Sequence, residues 1–117
     1  MLAKRAERVE LISSPGDLGD LREDPRLRLS GVSHRSSALL STSEVEAYVK
    51  RKDYDALIRS WFLVKPRPGQ RPNVILRIAN EVPEQLPPLL IAADLAERPG
   101  VREQQAAREI LRKIHAD

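Results

Sequence analysis

Two glutamates near the middle of the chain have the spacing of a cation site. Glu44 and Glu46 are two residues apart, so on a strand both side chains lie on one face and could hold a divalent cation. A nuclease built on such a pair needs a further acid and a lysine two residues beyond a glutamate, where this sequence has Tyr48. The pattern therefore favours a solvated polar strand face. A metal-dependent nuclease that uses Glu44, Glu46 and a lysine of the basic segment 50–77 is the less favoured alternative.

Three other ionisable residues could take part in chemistry, and none indicates an enzyme. Asp94 lies in an apolar stretch, where a buried carboxylate is costly unless it is paired. We expect it to point outward, to cap a backbone amide or to pair with an arginine such as Arg98. His34 has no orienting acid at a diagnostic spacing, so an exposed loop residue is expected. His115 suits the carboxyl end of a helix. No catalytic residue is assigned.

The strongest functional signal is a basic segment from Lys50 to Arg77. It holds eight basic residues against two acids, a net +6, while the rest of the chain sums to −3. Arginine outnumbers lysine 15 to 5 in the chain and binds phosphate or carboxylate bidentately. All four aromatic residues lie within or beside this segment: Tyr48, Tyr54, Trp61 and Phe62.

This segment predicts a surface that binds nucleic acid or an acidic protein. The predicted binding residues are Lys50, Arg51, Lys52, Arg59, Lys65, Arg67 and Arg71. They form two clusters that flank a helix of about ten residues, roughly 15 Å long. Each phosphate that they neutralise would add salt-sensitive affinity. Ordinary solvated charge around turns is the competing interpretation. In the alternative of a protein-interaction or dimerisation module, the interface is the apolar face around Trp61 and Phe62.

Composition excludes several classes of protein. Among the 117 residues there is no cysteine and there are two histidines, which excludes disulfides, thiolate metal sites and a histidine cluster. The sequence has no P-loop or dinucleotide-binding glycine motif, so we expect neither a cofactor nor a metal. The longest uncharged stretch is nine residues, 85–93, against about 18 for a membrane span. We expect one compact cytoplasmic domain, 1–117, with no membrane partner.

Periodicity predicts the elements that position these residues. Strands are predicted at 7–13, 26–30, 45–49 and 73–79, and the last, continuously apolar, should be central. A helix capped by Ser43 is the alternative at 45–49. Helices are predicted from an Asp53 cap through Trp61, at 86–97, which should be largely buried, and at 101–115. Segment 17–25 is predicted to be a loop, and 30–43 a short helix or a loop. The fold class is α/β (α+β), a mixed sheet of about four strands with three helices, the last two consecutive.

Several of these segments together resemble a family of bacterial regulators. They are Arg28–Ser33, Val45–Val49, Asn73–Ile78, Leu89–Glu97, Arg102-Glu103 and Ala106-Ala107. Together they resemble the C-terminal region of AbiEi-like antitoxins, the transcriptional autorepressors of two-gene toxin–antitoxin systems. The similarity spans residues 26–114. It implies a nucleotidyltransferase-like toxin as protein partner, and a homodimer is a further expectation.

One departure from that family affects the expected mode of DNA binding. Such antitoxins carry a winged helix-turn-helix domain at the amino terminus, whereas about 25 residues precede the matching region here. The resemblance therefore implies a truncated or partnered module without the usual reader of DNA bases.

Overall fold

A four-stranded mixed sheet organises the chain. The computed structural model describes residues 6–34, 43–98 and 100–116. The strands are β1 (Glu7–Leu11), β2 (Leu27–Leu29), β3 (Val45–Lys50) and β4 (Val74–Ala79). Their order across the sheet is β1-β4-β3-β2. The central pair β3 and β4 is parallel, and each outer strand is antiparallel to its neighbour.

Four α-helices accompany the sheet in the described residues. They are α1 (Leu18–Arg22), α2 (Arg51–Trp61), α3 (Pro88–Ala96) and α4 (Val101–Ala116). Short 3-10 turns occupy Pro15–Asp17 and Gly31–Ser33. The predicted α+β class, with a mixed four-stranded sheet and two consecutive helices at the end, is confirmed. The structure has one helix more than predicted.

Strand β4 is central, as its continuously apolar sequence predicted. All six of its residues are buried. Leu76 pairs with Val9 of β1 on one side and with Ala47 of β3 on the other. A strand that is buried on both faces and bonded on both edges needs apolar residues at successive positions, and this requirement explains the sequence from Val74 to Leu76.

The two faces of the sheet pack against different helices. On one face, alternate residues of the strands, such as Val45 of β3 and Leu76 of β4, form an apolar cluster with Leu57 of α2 and the leucines of α1. Tyr48, on the opposite face, packs with Leu95 of α3 and residues of α4. Both faces of β3 are therefore covered, and its polar residues Glu46 and Tyr48 lie inside the fold.

Helix α2 connects two parallel strands, and this connection fixes where its ends lie. Val45 pairs with Val74 at one end of the strands, and Lys50 pairs with Ala79 at the other. Because the strands run the same way, α2 must return along the sheet. The start of α2 and the loop after it, residues 62–73, consequently lie at opposite ends of the sheet.

Two local predictions are wrong. Segment 17–25 is not a loop throughout, because it contains α1, which buries Leu18 and Leu21, three residues apart. Asp53 does not cap α2: the helix starts at Arg51, with Lys50 as the flanking residue, so Asp53 lies in the first turn. An acidic side chain there still interacts favourably with the helix dipole.

The remaining boundaries differ by a few residues from the prediction. The preferred strand at 45–49 is confirmed as β3, and the helices at 86–97 and 101–115 are α3 and α4. The prediction that the helix at 86–97 is largely buried is wrong for one side of α3: Ile91 and Leu95 are buried, whereas Leu89 is 61% exposed. Segment 30–43 was predicted to be a short helix or a loop. Its residues 31–33 form the 3-10 turn, and 35–42 lie outside the described residues.

Candidate functional site

Helix α2 separates an apolar side from a charged side, on which Asp55 is exposed as well as Arg51, Lys52 and Arg59. Leu57 is fully buried, and Tyr54, Ile58 and Trp61 pack against the same core. This i, i+3, i+4, i+7 spacing holds the helix against the sheet. The exposed positions therefore have a fixed direction, away from the core.

The first predicted cluster, which we call the helix-start cluster, consists of Lys50, Arg51 and Lys52. Lys50 is half-buried at the end of β3, and Arg51 and Lys52 are exposed in the first turn of α2. Arg51 Nη1 lies 3.5 Å from Glu7 Oε1 of β1, a pair between exposed side chains. The cluster is thus partly neutralised by its surroundings.

The second predicted cluster lies at the other end of α2, and we call it the basic loop surface: Arg59, Lys65, Arg67 and Arg71. All four side chains are exposed. Arg71 Nη2 is 4.0 Å from Glu44 Oε2, while the structure places no carboxylate of the described residues within 4.0 Å of the other three. The predicted residues thus divide into two groups along the chain, one at each end of α2.

The loop that carries Lys65, Arg67 and Arg71 of this surface is held at several points. Val64 exchanges backbone hydrogen bonds with Ile12, at N···O distances of 2.7 and 3.2 Å. The amide of Arg67 donates to Gln70 Oε1 at 3.0 Å, and the amide of Gln70 donates back to the carbonyl of Arg67 at 2.9 Å. Prolines at 66, 68 and 72 restrict the rest of the backbone. The basic side chains thus start from an ordered backbone.

The two residues of the predicted apolar interface have opposite environments. Trp61 is half-buried, and its Nε1 donates to Asp24 Oδ2 at 2.9 Å. Phe62 is 83% exposed. Arg26 also binds Asp24, through bonds of 3.0 and 2.7 Å, and these contacts hold the pKa of that carboxyl well below its usual range. Trp61 is thus part of the packed structure, and only Phe62 is presented to solvent.

A second polar site lies inside the fold, between the sheet and α3. Its centre is Asp94, which is 3% exposed. The carboxylate accepts hydrogen bonds from Ser30 Oγ and, at 3.2 Å, from Tyr48 OH, and it lies 3.2 Å from Arg77 Nε. Burial raises the pKa of Asp94 to about 6, against the opposing effects of Arg77 and Ser30. One expectation, pairing with an arginine, is confirmed, but the partner is Arg77 and not Arg98.

Arg77 connects three elements through one guanidinium group. Besides Asp94 of α3, its Nη1 donates to Glu46 Oε2 of β3 at 2.5 Å. Its Nη2 donates to Glu97 Oε1, just after α3, at 3.1 Å. The planar fork of arginine allows a separate carboxylate at each nitrogen, which a lysine would not provide.

The two glutamates of the possible cation site bind an arginine. Arg98 Nη2 donates to Glu44 Oε1 and Glu46 Oε1, both at 3.0 Å. Glu44 and Glu46 do share one face, but Glu46 is fully buried, so the expectation of a solvated strand face is wrong for it. Helices α3 and α4 cover this side of β3, which the strand's own pattern does not show. Among the described residues, no three acids or histidines are placed to hold a metal.

Every charged group of this interior site has an oppositely charged partner. The partners come from β3, β4 and the region of α3, so the contacts fix the helical hairpin α3–α4 to the sheet. Such buried pairs impose one arrangement, because removing one partner leaves a charge without compensation. The interior site is therefore structural, and the exposed basic residues are the candidate functional site.

Comparisons with protein-family models, curated proteins and solved structures give no match to this chain. Across the part of the chain that the structure describes, none of the helices has the length and hydropathy of a transmembrane span.

Proposed function

We propose that this protein is a non-enzymatic module that binds nucleic acid through the basic loop surface. The observation that carries the proposal is the charge of the segment 56–80, which has no acidic residue. Of its exposed cations, Arg59, Lys65 and Arg67 have no ion-pair partner among the described residues. Unpaired guanidinium and ammonium groups in the last turn of α2 and on the loop after it are suited to phosphate oxygens.

The helix-start cluster supports the same proposal. Cations in the first turn of a helix interact unfavourably with its dipole, so Arg51 and Lys52 do not stabilise α2. An anion bound there would be favoured both by these side chains and by the free amides of the helix start. Because the cluster lies at the far end of α2 and is partly paired, we assign it a secondary contribution.

The resemblance to AbiEi-like antitoxins suggests a biological setting, which belongs to the same proposal. A regulator of this kind would bind nucleic acid and a nucleotidyltransferase-like toxin through different surfaces. A toxin of that type encoded in the neighbouring gene, and its co-purification with this chain, would support the setting. The absence of both would restrict the proposal to nucleic-acid binding alone.

The direct test is binding of a fluorescein-labelled oligonucleotide of about 20 nucleotides, followed by fluorescence anisotropy at low salt. The variant with Arg59, Lys65 and Arg67 all replaced by glutamine should lose at least about tenfold in affinity. Arg108→Gln is the matched control, because Arg108 is exposed on α4, which packs on the opposite face of the sheet. Equal affinity of the triple variant and the wild type would contradict the proposal. Binding to polyglutamate but to no oligonucleotide would instead indicate an acidic protein partner.

A further inference from the structure

Phe62 occupies a backbone conformation that disfavours its own side chain. It follows the last residue of α2 with φ 53° and ψ 41°, in the left-handed region. Among the described residues it is the only non-glycine with a positive φ. Glycine or asparagine is the usual residue at this position of a helix end, and a bulky aromatic is uncommon. The helix termination therefore gives no reason for phenylalanine here.

Packing gives no reason either, because the ring is 83% exposed. Its neighbours on both sides face inward: Trp61 is bonded to Asp24, and Leu63 is 5% exposed. The amides of Phe62 and Leu63 both donate to the carbonyl of Ile58. The ring thus projects into solvent from a backbone that is held on either side.

The cations that precede and follow Phe62 in the chain indicate which class of ligand the ring binds. Arg59 lies one turn before Phe62, Lys65 and Arg67 follow it, and these are the unpaired cations of the basic loop surface. An aromatic face beside cations is how proteins bind single-stranded nucleic acid, with a base on the ring and phosphates on the basic groups. Paired bases do not expose their faces, so a duplex cannot use such a ring. A lipid surface is less favoured, because stable membrane association requires a larger apolar face than one ring and its neighbour Val64.

We propose that Phe62 is a stacking platform for an unpaired base, and that the ligand of the basic loop surface is single-stranded nucleic acid. This inference rests on the proposed function and names its substrate class. The ring binds the base through its face, while Arg59, Lys65 and Arg67 bind the adjacent phosphates.

The test compares Phe62→Gly with the wild type on a labelled thymidylate oligomer of about 20 nucleotides and on a duplex of equal length. Glycine suits the left-handed conformation, so the variant should fold at least as well, which thermal unfolding followed by Trp61 fluorescence checks. Loss of one stacked base should weaken binding of the single strand about 5- to 100-fold, with an unchanged salt dependence. Phe62→Tyr should restore binding. Val101→Asn, which removes another exposed apolar side chain, should bind like the wild type.

The possible failures are distinguishable. If the wild type binds the single strand in a salt-dependent manner and Phe62→Gly binds equally well, the stacking platform is refuted while the proposed function stands. Equal losses on single strand and duplex would also refute it. If the wild type binds neither nucleic acid, both proposals fail, and Phe62-dependent binding to anionic phosphatidylserine vesicles would then assign the ring to a lipid surface.

Discussion

Gly31 and Glu46 approach each other so closely that a side chain at position 31 would overlap the glutamate carboxylate. A Cβ added to Gly31 would collide with the carboxyl carbon and both oxygens, the more distant oxygen being 2.6 Å away. Gly31 also has φ +53°, a conformation that favours glycine. The turn after β2 is thus shaped by the need to place the Glu46 carboxylate beside the arginines that bind it.

Replacing Gly31 by alanine should therefore destabilise the fold by about 2 to 4 kcal/mol, from backbone strain and overlap together. Chemical denaturation measures this change. Gly19→Ala is the matched control, because an added Cβ there meets nothing within 4 Å and Gly19 lies within helix α1. It should leave the stability unchanged or raise it by up to about 1 kcal/mol. Similar effects at the two glycines would contradict the described turn.

Asp94 should make stability fall as pH rises from about 4 to 6. Its folded-state pKa of about 6 exceeds the unfolded value of 3.8, so the folded chain holds a proton that the unfolded chain has released. The favourable contribution of that proton is lost as pH rises through the folded-state pKa, on the order of 2 to 3 kcal/mol. Burial is the main cause of the raised pKa, and the charge of Glu46 adds to it, whereas Arg77, Ser30 and Tyr48 act in the opposite direction.

Denaturation midpoints at intervals between pH 4 and 7 test this, with Asp94→Asn as the variant that removes the titrating group. The variant should lack this decline, whereas Arg108→Gln, on the exposed side of α4, should keep it. Below about pH 4 the pH dependence of stability has the opposite sign. The lowered pKa of Asp24 contributes stability there, and this contribution is lost as pH falls. An Asp94→Asn profile identical to the wild type would contradict the buried carboxylate.

Arg77→Met should cost about 3 to 5 kcal/mol, because it leaves Glu46 and Asp94 buried without that cation. Arg77→Lys should recover only part of the loss, since one ammonium group cannot meet three carboxylates in separate directions. Urea denaturation of the three proteins gives the comparison. Full recovery with lysine would show that the charge alone, and not the planar fork, holds the sheet to α3.

Trp61→Phe should destabilise the protein by about 1 to 2 kcal/mol, since it removes the hydrogen bond to Asp24 and some of the packing on the core. Oligonucleotide affinity, measured below the unfolding transition, should stay within about twofold of the wild type. A variant that is fully stable but binds poorly would instead place Trp61 in the interface.

The sequence predicts the regular elements where one physical pattern dominates. Val74 to Leu76 is apolar at successive positions because both faces of β4 are covered. The apolar residues from Tyr54 to Trp61 follow the helical spacing because one side of α2 packs on the core. Helix α1 was missed because it is a single turn, whose only signal is the pair Leu18 and Leu21 among polar residues.

The interior polar site could not be predicted in the same way. The partners of Arg77 lie 31, 17 and 20 residues away, at Glu46, Asp94 and Glu97, so no local spacing connects them. Glu46 alternates with apolar residues on β3, a pattern that a solvated face and a buried ionic face share. The available signal was the charge of Asp94 inside an apolar helix, which left open whether the side chain points outward, caps a backbone amide or pairs with an arginine.

The basic residues were identified from charge alone, and their arrangement follows from the βαβ connection. The sequence predicted that the two clusters flank one helix, and the parallel pairing of β3 with β4 places them at opposite ends of the sheet. What the sequence did not show is the separation of Trp61 from Phe62. That difference depends on the left-handed backbone conformation of Phe62, and phenylalanine has no preference for this conformation.

The salt dependence of oligonucleotide binding tests the central claim most directly. A plot of the logarithm of the association constant of a labelled single strand against the logarithm of the NaCl concentration should be linear and steep. Replacing Arg59, Lys65 and Arg67 together by glutamine should reduce the slope by about two units, near 0.7 for each lost phosphate contact. Affinity that stays the same across the salt range, or an unchanged slope in the triple variant, would contradict binding through the basic loop surface.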